Sequence, residues 1–164
     1  MKFVTFLFLS IVISSANAQD FNSIPDNSIK IENIAFGSSK SSIIKRFGKP
    51  IKVVKEKEDV NAYVYNYHYR GLILYITMRN EFSGFEVRSK NYKIQVQGAH
   101  LQVGDNMSVL KKHFPLSYQV YKAVTPGEKE PYWFRLRIKG FDSYLVFVIV
   151  KQQIVEIKLV GEDC

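Results

Sequence analysis

The sequence predicts an α+β protein: two tandem helix-plus-four-strand antiparallel repeats forming one broad sheet with helices on one face. Three observations lead there. First, one phrase occurs twice. "FGSSKSSIIKRFGKP" (36–50) and "VGDNMSVLKKHFP" (103–115) align without a gap at a shift of 67, placing Gly37 on Gly104, Ile43 on Leu110 and Phe47 on Phe114. Second, each phrase precedes a series of strand-sized stretches separated by turn residues. Third, several of those stretches alternate apolar and polar residues, the period of a strand with one buried face.

Residues 1–18, "MKFVTFLFLSIVISSANA", read as a secretory signal peptide. Lys2 gives a positive start, Phe3–Ile13 is apolar, and Ala16 and Ala18 are small residues at the positions a signal peptidase reads. The apolar run is 11 residues, short of the roughly 20 that span a bilayer. No other stretch is long enough, so the mature chain is expected to have no transmembrane segment. Residues 19–29 are a polar, proline-bearing, flexible lead-in. Repeat 1 covers 30–92 and repeat 2 covers 93–164.

In repeat 1, Gly37 turns the chain, Ser38 is the expected cap, and Ile43 and Phe47 share a helix face four residues apart. Gly48 and Pro50 stop the helix. Strands are expected near 51–56, 61–70, 72–79 and 84–89, with "KEKEDVN" as a charged hairpin loop. In repeat 2, Asp105 is the cap candidate, Met107, Leu110 and Phe114 are apolar, and Pro115 is the stop. Strands are expected near 116–123, 131–139, 143–150 and 153–159, with "TPGEKEPY" as the loop.

The two phrases, with their glycine, short helix and glycine-proline punctuation, resemble the β-lactamase-inhibitor-protein-like tandem repeat fold. They are similar also to its single-copy relatives, the small outer-membrane assembly lipoproteins of the SmpA/OmlA type. The resemblance covers about residues 30–160 and departs in two places. Repeat 2 has Phe114-Pro115 where repeat 1 has Phe47-Gly48-Lys49-Pro50, and the lipidated cysteine of the lipoproteins is missing. What it implies is a binding scaffold whose open sheet face meets a protein partner.

Strand parity assigns the faces. Tyr63, Tyr65, Tyr67 and Tyr69 lie on one side of their strand, Val64, Asn66, His68 and Arg70 on the other. Leu72, Leu74, Ile76 and Met78 oppose Ile73, Tyr75, Thr77 and Arg79. Tyr132, Phe134, Leu136 and Ile138 oppose Trp133, Arg135, Arg137 and Lys139. The apolar sets are core, and the tyrosine stripe reads as core wall with hydroxyls reaching the edge; with the faces of that strand reversed, the stripe is the binding surface instead. Five of the six arginines fall on the outward face. The expected partner-binding set is therefore Arg70, Arg79, Arg88, Trp133, Arg135, Arg137, Tyr75 and His68. Arginine offers a planar donor fork for carboxylates, and arginine with aromatics is the make-up of binding hot spots. The opposing reading is that long basic side chains merely cover a sheet face.

The sequence offers no catalytic or metal-binding motif. His68, His100 and His113 stand at no ligand spacing, and no nucleophile elbow, phosphate loop or dinucleotide glycine pattern occurs. No cofactor is expected. Cys164, the lone cysteine, has no partner within the chain; pairing between chains stays open. The formal charge of +8 suits an acidic protein partner, while export argues against nucleic acid. The expected function is an exported, non-enzymatic binding protein, inhibitory or in envelope assembly, acting in the periplasm or beyond. The alternatives are a structural envelope module held to membrane or cell wall by charge, and a small hydrolase.

Overall fold

The computed structural model describes residues 23–59, 62–124, 130–140 and 142–161. The signal peptide expected over residues 1–18, and Cys164, lie outside them. The order is β1 (Ser23–Ile24), a 3-10 turn (Asp26–Ser28), β2 (Ile29–Ile31), β3 (Ile34–Ala35), α1 (Lys40–Phe47), β4 (Lys52–Asp59), β5 (Ala62–Tyr69), β6 (Leu72–Thr77) and β7 (Phe82–Val87). It continues with β8 (Ile94–Val96), β9 (Ala99–Leu101), α2 (Ser108–His113), α3 (Pro115–Val124), β10 (Tyr132–Ile138), β11 (Ser143–Val150) and β12 (Gln153–Gly161).

Eight strands form one sheet in the order β1-β10-β11-β12-β7-β6-β5-β4, antiparallel except at β1–β10. Period-two alternation sorts its faces. The row Tyr69, Leu72, Val87, Ile157, Phe147 and Phe134 crosses six strands on the inner side. From Leu72 onward each of these side chains is almost wholly buried. Phe47 of α1 meets Tyr69 with ring centroids 5.7 Å apart, and Tyr121 of α3 meets Phe134 at 5.8 Å. The helices therefore cover the inner face from both ends of that row.

A second sheet, β3-β2-β8-β9, shares the same core. Its Ile29, Ile31, Ile94, Val96, Ala99 and Leu101 are buried in one cluster with the inner face of the large sheet. Burial at about 25 cal/mol per Å² of apolar surface makes this shared core the main stabilising element.

The expected architecture of two tandem helix-plus-four-strand repeats is overturned: the protein is mostly β, with sheets of eight and four strands. The second half carries two helices, because 116–123 forms α3 and not a strand. Pro115 starts that helix, where its missing N–H is harmless. Ser117, Tyr118 and Tyr121 then turn together toward the core at helical spacing. The expected loop "TPGEKEPY" lies largely outside the described residues, its Tyr132 beginning β10, and "KEKED" belongs to β4. The halves also interlace. Ser23–Ile24, inside the expected lead-in, pairs parallel with Arg137–Ile138, and β2 pairs with β8.

The two repeated phrases do build matching clamps. Gly37 (φ 79°) donates its N–H to Phe82 O at 2.8 Å, and Gly104 (φ 96°) donates to Ile154 O at 2.7 Å. Phe82 N–H returns to Ser38 O, and Ile154 N–H to Asp105 O. The positive φ explains glycine at both positions. The caps differ from expectation. Ser39, not Ser38, accepts from Ser42 N at the start of α1, and Asp105 accepts from Gln102 N instead of capping α2.

Candidate functional site

The outer face of the large sheet is arranged in rows. His68, Ile73, Glu86, Lys158, Val146 and Arg135 stand side by side across six strands, from β5 to β10. The next row places Trp133 beside Val148 and Val148 beside Glu156. Trp133 is 41% exposed, yet Val146 and Val148 are buried although they point outward. The Arg135 guanidinium lies 5.4 Å from the indole ring centre and the Lys158 ammonium 5.0 Å from it. Lys158 is rooted two strands away from Trp133, so the contact between them crosses β11, the strand that carries the two valines. Cations over an indole face are held by its quadrupole, at about 0.5–1 kcal/mol each when exposed.

Beside this cluster the charges are locked. Arg88 reaches Glu86 at 3.0 Å and Glu156 at 3.1 Å. Glu156, first by hydrogen bonding and then by charge, raises the Arg88 pKa above its ordinary value. The Tyr75 hydroxyl donates to Glu86 at 2.6 Å. Gly84 admits the Tyr75 ring: a Cβ there would stand 2.9 Å from Tyr75 Cδ2 and 3.0 Å from the Leu159 carbonyl oxygen. Arg137 meets Asp142 only loosely, at 3.6 Å. No ion pair among the described residues takes Arg135 or Lys158.

The expected set is thus partly assembled. Trp133, Arg135 and Arg137 share the outer face of β10, with Tyr75, His68 and the locked Arg88 on the same side. Arg70 and Arg79 do not join them. Arg70 sits in the β5–β6 turn, and Arg79 lies past the end of β6. There Arg79 lines an open pocket of about 800 Å³ with Lys40 and Lys45 of α1. Met78, expected in the core, is 53% exposed just beyond the strand. Lys158, Glu86 and Glu156 complete the surface, though none was singled out by sequence. The alternation in "FEVR" and "VEIKL" signals their outward direction.

Two polar atoms on the outer face are buried without a hydrogen-bond partner: Asn66 Oδ1 and His68 Nε2. The tyrosine stripe faces the other way. Tyr67 is buried, and the Tyr69 hydroxyl donates to Gly48 O at 3.1 Å. Burial, with Tyr67 and Tyr92 close by, pushes the Tyr69 pKa up to about 12.

A second, polar cleft of about 480 Å³ opens on the small sheet, lined by Glu32, His100 and Asp105 among others. Its carboxylates are engaged. Glu32 accepts from Lys93 N at 2.7 Å and pairs with Arg46. Burial alone would raise the Glu32 pKa, but the Lys93 amide and Arg46 outweigh it and hold it below 4.5. Among the described residues no group of three or more His, Cys, Asp or Glu side chains is placed to hold a metal ion. Nor is any helix among them long and apolar enough to cross a membrane.

No protein-family model matches the sequence, and no curated protein matches it. The resemblance to the β-lactamase-inhibitor-protein-like and SmpA/OmlA-type families therefore has no matching family model behind it. One solved structure is similar: an extracellular protein containing an SCP domain from Bacillus anthracis str. Ames. It is 9% identical with a TM-score of 0.50, over 78% of this chain and 44% of that one. The likeness is one of fold alone, and this chain spans less than half the length of that protein.

Proposed function

We propose that the chain is an exported, non-enzymatic binding protein that docks a protein with an acidic surface onto the outer face of its large sheet. The observation that carries this is Trp133. A large aromatic near the start of β10 stands 41% exposed in contact with two cations, Arg135 and Lys158, that no carboxylate among the described residues pairs. Tryptophan and arginine are enriched among the few residues that dominate binding energy at protein interfaces. The signal-like residues 1–18 and the extracellular neighbour support export. The resemblance noted in the sequence implies an inhibitory or envelope-assembly setting.

The test is capture from envelope extract on immobilised wild-type protein and on the Arg135→Glu, Arg137→Glu double variant. The proposal expects an acidic protein retained by the first and lost by the second, with salt slowing its association. Equal capture by both would defeat it. Retention by anionic vesicles alone, with no protein captured, would favour the structural envelope module.

A further inference from the structure

Resting on that reading, we propose that Arg135 and Lys158 form a clamp for one aspartate or glutamate carboxylate of the partner, whose methylene stem packs on Trp133. Both cations flank Val146 directly, one from β10 and one from β12. Neighbouring strands lie about 4.8 Å apart, so the two side chains rise from points roughly 10 Å apart. That gap accepts a single carboxylate, with one oxygen toward each donor. The indole, 5.4 Å from Arg135 and 5.0 Å from Lys158, supplies the apolar wall that a CH₂ stem needs, and the buried Val146 and Val148 of the intervening strand add apolar surface.

The surroundings select the source of the anion. Glu86 stands in the ladder position beside Lys158, Glu156 lies in the next row, and Asp142 sits by Arg137. These carboxylates would repel a continuous plane of anionic headgroups, but they leave room for one projecting acidic side chain. They also explain why the clamp stays unfilled from within. Arg88 and Tyr75 already hold Glu86, and Arg88 holds Glu156. The locked cation thus keeps the local carboxylates away from the two cations that remain.

Trp133 is the only tryptophan of the chain, so its emission reports this site alone. Purified protein is titrated with a hexaglutamate peptide, with inorganic phosphate, and with phosphatidylglycerol vesicles, while indole fluorescence is followed. The clamp predicts a saturable response to hexaglutamate. Arg135→Ala and Lys158→Ala should each weaken it by at least about tenfold, and Arg137→Ala by less than about threefold. Unchanged melting curves for all three variants guard against misfolding. No saturable response, or one that both alanine variants keep, overturns the clamp. An equal response to phosphate overturns its choice of carboxylate. A response to vesicles without one to hexaglutamate overturns both the clamp and the protein partner. If hexaglutamate fails while charge reversal still abolishes protein capture, the clamp alone is lost and the docking face stands.

Discussion

Gly84→Ala should destabilise the protein by about 1–3 kcal/mol, the usual range for overpacking. The sign is decided by two opposing effects. An alanine in a strand loses less backbone entropy than glycine, a gain of up to about 1 kcal/mol. Against this, the new methyl would stand 2.9 Å from Tyr75 Cδ2 and 3.0 Å from the Leu159 carbonyl oxygen. The carbonyl belongs to the backbone of β12 and cannot rotate away. The Tyr75 ring can turn, but only by giving up its hydroxyl bond to Glu86, worth about 1.5–3 kcal/mol to a charged acceptor. Both contacts are unrelieved or costly, so the clash wins. Thermal unfolding by circular dichroism should show the melting temperature falling by several degrees. In a double-mutant cycle with Tyr75→Ala, the two losses should be less than additive, because removing the ring relieves half of the clash. An unchanged or raised melting temperature would refute the close packing of Tyr75 over β7.

Asn66→Val should stabilise the fold by about 1 kcal/mol, because it removes a buried oxygen without a partner; chemical denaturation measures it, and a loss of stability would show that the oxygen is paired. Glu32→Gln should remove part of the acid sensitivity. The folded pKa of Glu32 is depressed below 4.5, so its contribution is fully present above that pH and fades as pH falls through the folded value. Unfolding free energy measured from pH 6 to pH 2 should therefore fall less steeply in the variant; identical slopes would remove Glu32 from the account. Arg135→Ala with Arg137→Ala should lower stability by no more than about 1 kcal/mol, the upper value for an exposed cation over an indole. A large fall in melting temperature would mean that β10 presents its other face to the core.

The faces of the large sheet were legible because alternation is a local signal. "YWFRLRI" and "LILYIT" announce which side is buried, and the ladder agrees at Phe134, Leu136, Leu72, Leu74 and Ile76. The small sheet was not legible. Its strands are two or three residues long, too short to show a period, and β2 finds β8 across more than sixty residues of chain. The α3 segment misled for another reason. "LSYQVYKAV" is rich in β-branched and aromatic residues, and packing of Tyr118 and Tyr121 against the core overrides that strand propensity. Arg79 was misplaced because parity was carried past Thr77, where β6 ends and the chain turns toward α1. The role of Lys158 depends on the β10–β11–β12 register, which no local pattern specifies.

The central claim is that the partner sits on the outer sheet face at Trp133. Replacing Arg137, which shares the outer face of β10 with Trp133, by the photocrosslinker benzoylphenylalanine, and in a second protein replacing exposed Leu116 on α3, tests this directly and leaves the indole in place. Irradiation in envelope extract should attach an acidic protein at position 137 and not at 116, with the yield falling as salt rises. Crosslinking at 116 with none at 137 would contradict the account and move the docking surface to the helices.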